Sequence, residues 1–196
     1  MRSVNTCLLK IITLLFIAFI FNGCTHVLKS SDLPKLQTGS PLKSVSPKIF
    51  AFKEFTDNRP YKKVLDEMGV HTFVLDQPAS IVVAEAIKQE FERNGHTCIL
   101  YSPQSKTDFI VEGEVLGYYV DERSGTWFSE SIGTVEVRLT LSHPLPIGGT
   151  FSKVYVAKKR FRNSVFKAVK EPIREAHLIM LKQISYDMEL VDFLNK

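Results

Sequence analysis

Three stretches in the second half of the chain alternate apolar with polar residues. In Phe128–Leu141, Val135, Val137, Leu139 and Leu141 take turns with Thr134, Glu136, Arg138 and Thr140. A period of two with one dry and one wet face marks an antiparallel strand. Phe109–Val120 sets Val111, Gly113, Val115 and Gly117 on one side and Glu112 and Glu114 on the other. Phe151–Phe161 follows a loop, His143–Thr150, with two prolines and two glycines. Shorter apolar runs come earlier: Lys48–Thr56, stopped by the turn formers Asp57, Asn58 and Pro60, then Thr72–Leu75 and His96–Tyr101. Tyr61–His71 is polar and reads as a loop.

Two segments switch to a helical period. Val83, Ile87 and Phe91 recur every fourth residue, while Glu85, Lys88, Gln89 and Glu92 fill the opposite side. Asp76 and Pro78 suit the start of this helix, and Asn94-Gly95 its left-handed end. The second segment opens at Pro172; Ile173, His177, Met180, Ile184, Met188 and Val191 draw one core-facing seam. Strand, helix, strand, three long strands and helix predict an α+β fold. It is a two-layer sandwich, a mostly antiparallel sheet of four to five strands with two main helices packed on one face.

The N-terminal pattern is of another kind. Ile11–Phe21 is uncharged, with Arg2 and Lys10 before it and Gly23-Cys24 after it. A basic start, a short apolar run and a small-residue cut site make a secretory signal, and the run is shorter than the roughly 20 residues that span a bilayer. Phe21-Asn22-Gly23-Cys24 resembles the lipobox of bacterial lipoproteins, which implies cleavage before Cys24 and a diacylglycerol on its thiol. Thr25, where Asp would retain such a protein at the inner membrane, implies the periplasmic face of an outer membrane. Thr25–Pro47, with its serines, prolines and lysines and no aromatic residue, reads as a flexible tether. The expected organisation is a signal over residues 1–23, a tether over 24–47 and one domain over 48–196.

Composition changes this picture little. With 44% hydrophobic and 23% charged residues, the chain reads as an ordinary globular one. Its net charge is +4 and falls to about +2 once Arg2 and Lys10 leave, too mild to imply nucleic acid. Of three cysteines, only Cys98 is left after the signal and the lipid take theirs; in Thr97-Cys-Ile-Leu-Tyr101 it reads as a buried small hydrophobe. Neither a metal-ligand spacing nor a cofactor motif stands in the sequence.

Candidate chemistry is sparse. His143 follows Ser142, but no strand–turn–helix elbow holds a serine, so the chain is not expected to be an enzyme. Gly113-Glu-Val-Leu-Gly117 lies within a strand, so its glycines read as room for a crossing helix rather than as a phosphate loop. Glu112, Glu114, Glu136 and Arg138 read as a ladder of solvated pairs. Trp127 and Phe128, and Leu145 and Ile147, sit on loops and are candidate partner anchors. Arg59, just past the first strand, either caps its own turn through Asp57 or is a further candidate partner contact that holds a carboxylate or phosphate. Lys158, Lys159, Arg160 and Arg162 form the densest basic run and are candidate contacts for anionic lipid, or else guards of a strand edge.

Asp57-Asn58-Arg59 after the first strand, Gly69-Val70, Asp76 before a helix that ends at Gly95, and Thr107-Asp108-Phe-Ile-Val opening a strand carry a resemblance. Over Phe52 to about Val120 the chain is similar to the YajG-like family of bacterial lipoproteins. That family has no established activity, so the resemblance implies location and fold. The expected partners are the membrane, through the N-terminal lipid, and an envelope protein. Handling of anionic lipid or lipopolysaccharide is the alternative, and envelope hydrolysis the third reading.

Overall fold

The computed structural model describes residues 24–36, 40–60, 64–65, 71–124, 129–144, 148–163 and 170–196. In chain order they form β1 (Cys24–Leu28), β2 (Ile49–Phe52), β3 (Thr56–Asp57), β4 (Val64–Leu65), β5 (His71–Leu75), α1 (Ala79–Arg93), β6 (Thr97–Leu100), β7 (Phe109–Ser124), β8 (Ser129–Ser142), β9 (Thr150–Asn163), α2 (Lys170–Ser185) and α3 (Met188–Leu194). The class is α+β, as the pattern predicts. The main sheet is larger and more mixed than expected: its order is β6-β2-β7-β8-β9, with β3 also paired to β7. β7, β8 and β9 are antiparallel, while β2, β3 and β6 run parallel to β7. A second, three-stranded sheet has the order β1-β5-β4.

Alternation in the long strands does what it predicts. Val135, Val137, Leu139 and Leu141 are buried, as are Val111 and Val115. Against them lie Val83, Ile87 and Phe91 of α1 and Ile173, Met180 and Ile184 of α2. Each such side chain contributes roughly 1.5–3 kcal/mol when fully buried. An irregularity between Val115 and Gly117 shifts the register of β7. Tyr118 and Val120 therefore continue the dry face, opposite Val135 and Gly133, while Gly117 crosses to the wet face beside Glu136. A strict period of two had put Gly117 with the core.

The glycines mark close approaches, but not the ones expected. At Gly113 a methyl group would lie 2.2 Å from the ring of Phe55, so the residue makes room for an aromatic rather than a helix. The glycine that a helix needs is Gly133, where a methyl would lie 2.2 Å from the Pro172 carbonyl. The first turn of α2 thus rests directly on β8.

Helix boundaries also differ from the expected ones. Asp76 does not cap α1; its carboxylate accepts from Ser30 N at 2.9 Å. The seam from Ile173 to Val191 is not one helix. Asp187 interrupts it and caps α3, accepting from Glu189 N at 3.0 Å, and Met188 is turned out to solvent. Burial alone would raise the Asp187 carboxyl; hydrogen bonds from Tyr155 Oη at 2.7 Å and Lys153 at 3.0 Å outweigh it and hold it below its ordinary value. The left-handed end of α1 is as read, with Gly95 at a φ of 91°.

Residues 24–36 and 40–47, expected as a free tether, are instead laid against the domain. β1 pairs with β5, Leu28, Leu33, Leu36, Leu42 and Val45 are buried, and Arg93 donates to the Leu36 carbonyl at 3.1 Å. Ser40 Oγ donates to Asn94 Oδ1, Asn94 Nδ2 donates to Glu90 Oε1, and Ser185 Oγ donates to the same oxygen, so one buried polar cluster joins this segment to α1 and α2. Five apolar residues spread among serines and prolines escape a composition-based reading because they bury without a period.

Two measurements follow from these contacts. Gly133→Ala meets backbone that cannot step aside and should lower stability by about 3 kcal/mol, and Gly113→Ala by about 1–2 kcal/mol as the Phe55 ring shifts. Gly117→Ala, with its nearest neighbours at 3.2 and 3.3 Å, should change the urea midpoint least of the three. His177 is buried in α2 beside Tyr118, and burial lowers its pKa to about 4. The folded chain keeps it neutral while the unfolded chain protonates it below about 6.5, so stability should fall as the pH drops from 6.5 to 4, by up to about 1.4 kcal/mol per unit. His96, also lowered by burial, acts in the same direction. A His177→Gln chain should therefore show a shallower but not flat dependence in denaturation at several pH values.

Candidate functional site

The predicted contacts end up in different places. Trp127, Phe128, Leu145 and Ile147 lie outside the described residues, as do residues 1–23. Arg59 is described and turned inward, 8% exposed. Its Nε and Nη2 donate to the two Asp57 carboxylate oxygens at 2.8 and 2.7 Å, and its Nη1 donates to the Tyr118 carbonyl at 3.3 Å. β3 pairs with β7 only at Glu114 and Val115, and the guanidinium serves β7 further along as a substitute partner. Arg59 is thus corrected from a partner contact to the lock of its own turn.

The wet sheet face carries the pairs expected of a solvated ladder. Lys53 meets Glu112 at 2.5 Å and Arg138 meets Glu114 at 2.6 Å, all four partly exposed. Such pairs contribute about 0–1 kcal/mol each. On β9, Lys158, Arg160 and Arg162 share the outer face, and Arg160 reaches Glu130 at 3.4 Å. Lys159 points to the other face, where its ammonium lies 5.8 Å from the Phe161 ring centroid.

The side chains of His143, His177 and Cys98 are spent on packing. The His143 ring sits 4.5 Å from that of Phe109 and 5.3 Å from that of Phe193. His177 Nδ1 lies 3.5 Å from Tyr118 Oη, which burial pushes up. Half-buried Cys98 directs its sulfur at the Lys88 carbonyl, 3.7 Å away, and burial pushes its thiol up to about 12, far from a nucleophilic thiolate.

An apolar groove of about 290 Å³ runs between the outer face of α1 and the end of β6. Phe52 and Phe55 form its floor, Ile81 and Ala84 one wall, and Ile99 and Leu100 the other. Leu100 is 81% exposed and Ile81 46%, a concentration of apolar surface at one place. Lys53, Glu54, Glu85 and Lys88 supply a mixed-charge rim. A second, more polar groove of about 590 Å³ lies on the other side of Ile81, under Leu33 and Pro34 and between α1 and α2. Sequence reasoning missed both. Ile81 stands off the stripe of α1, and an exposed leucine means nothing alone; only the fold brings Ile81 to Leu100.

No protein-family model and no curated protein matches the sequence. Among solved structures, the chain is similar to protein XCC0632 from Xanthomonas campestris, described as DUF330, with a TM-score of 0.56, 13% identity and coverage of 85% of this chain and 92% of that one. It is also similar to the hypothetical protein CT253 from Chlamydia trachomatis, with a TM-score of 0.47, 10% identity and coverage of 74% and 97%. A minor lipoprotein from Acinetobacter baumannii follows, with a TM-score of 0.36, 11% identity and coverage of 77% and 92%. The first of these likenesses shows a shared fold.

If Arg59 is the lock of its turn, Arg59→Ala should cost about 2 kcal/mol of stability, since it removes both guanidinium hydrogen bonds to the Asp57 carboxylate and the one to the Tyr118 carbonyl. Urea denaturation reads this directly. An unchanged midpoint would show that Arg59 does not hold this turn.

Proposed function

We propose that this chain is a lipid-anchored protein of the bacterial cell envelope, held through Cys24 at the periplasmic face of an outer membrane. It binds an envelope protein there and catalyses no reaction. The observation that carries this reading is the groove between α1 and β6. A concave apolar surface with a polar rim is what a partner's anchoring side chain fits. β6 is moreover a short edge strand, beside which an extended segment of a partner can add its own main chain. The signal-like N-terminus and the YajG-like resemblance support the location, and the packing roles of His143, His177 and Cys98 support a binding task over catalysis.

Extraction of the full-length chain from its own membranes in mild detergent, followed by native mass spectrometry, tests this. A protein at fixed stoichiometry is expected, and Leu100→Asp together with Ile81→Asp should weaken the complex more than tenfold. Both positions are exposed, so stability should stay within about 0.5 kcal/mol. A complex indifferent to both substitutions would rule the groove out. A retained lipid or glycolipid mass in place of a protein would turn the reading to lipid handling.

A further inference from the structure

We propose that one pole of the fold, built around the upper end of β9, is a surface for anionic phospholipid head groups that orients the domain on its membrane. This deepens the anchored-protein reading and rests on Cys24 as the lipid site. The argument is one of placement. α2 starts where Pro172 lies on Gly133, and Gly133 pairs with Lys159 of β9. Near its other end, Gln183 Nε2 donates to the Val156 carbonyl at 3.1 Å, and past that end Asp187 meets Lys153. The chain of β9 therefore ascends from Lys153 towards Arg162 as α2 is followed backwards from its C-terminus to its N-terminus.

The N-terminal segment lies along the same helix in the same sense. Arg174 Nε donates to the Asp32 carbonyl at 2.8 Å, and Lys170 Nζ to the Val27 carbonyl at 2.9 Å. Following the segment back from Asp32 to Val27 moves from the second turn of α2 to its first residue, and Cys24 stands three residues further. The start of β1 and the upper end of β9 thus project beyond the same end of α2. A lipid on Cys24 brings that pole to the bilayer.

Charge at the pole fits such a surface. Lys158, Lys159, Arg160 and Arg162, with Lys170 at the start of α2, stand against Asp121, Glu130 and Glu171 among the described side chains; Glu171 is paired with Arg174, and the Arg160 side chain remains 67% exposed beside Glu130. Lower on the same strand the opposite holds, for Lys153 is matched by both Asp187 and Glu189. Edge protection alone would ask for charges along the whole strand. Instead the excess of cations lies where the anchor is. Basic residues close to an anionic leaflet are attracted to it, and the attraction fades within a Debye length, so position decides its effect.

Lysine footprinting tests this on the acylated full-length chain. It is reconstituted in nanodiscs of phosphatidylcholine alone or with about one quarter phosphatidylglycerol, and acetylation rates are read by mass spectrometry. Lys158 and Lys159 should react about fivefold more slowly in the anionic discs, with Lys43, in the turn packed against α3, and Lys106, in the loop before β7, unchanged. Lys158→Glu with Arg160→Glu should abolish the difference at Lys159 while leaving the thermal transition in place. Equal rates in the two discs, or the same slowing at Lys43 and Lys106, would overturn the orientation while acyl mass on the Cys24 peptide left the anchor standing. A Cys24 peptide without acyl mass would overturn the anchor and the orientation together.

Discussion

The backbone of Pro172 on the bare Cα of Gly133 is the contact on which the fold turns. Three strands of fourteen to sixteen residues offer a dry face too long for one helix. α2 covers it only by lying flush at one end, and a side chain at Gly133 would lever the helix off. From that fixed point Ile173, Met180 and Ile184 fall onto Val135, Val137 and Leu139, and His177 onto Tyr118. The register shift near Gly117 belongs to the same solution. It turns Tyr118 inward to meet α2, which an unbroken alternation would have pointed to solvent.

Legibility followed period. Long strands and α1 declared themselves because their apolar residues repeat at two or near four, and the buried set matches that repeat. What broke period was misread. Asp187 interrupts an unbroken seam because an N-cap is a local hydrogen-bonding event and leaves the apolar spacing untouched. The segment 24–47 looked like a tether because its leucines are sparse, yet Ser40, Asn94, Glu90 and Ser185 close a polar cluster that no single stretch of sequence contains. The groove was hidden for the same reason, since its two walls are nineteen positions apart, at Ile81 and Leu100. Arg59 was legible only as a pair of alternatives, and the carbonyl of Tyr118 decided between them.

Buried titratable groups serve the packing of the core. Histidine, tyrosine and cysteine side chains at the core are held in their neutral forms by burial: His177 down, Tyr118 and Tyr155 up, Cys98 up. A catalytic group needs the opposite, a pKa brought near the working pH and a face open to substrate. These residues add shape and stiffness to the core.

The two edges of the main sheet are treated differently, and that difference bears on where a partner can sit. β9 is long and would be an open template, but Gln183 occupies its Val156 carbonyl and Lys158, Arg160 and Arg162 line its outer face. Another strand pairing there would have to crowd or desolvate those cations. β6 is only four residues long and ends in Leu100, beside the floor of Phe52 and Phe55. A strand laid along β6 gains main-chain hydrogen bonds and covers apolar surface already exposed to water, and β6 itself carries no charged residue. On physical grounds the short edge is the receptive one and the long edge the guarded one.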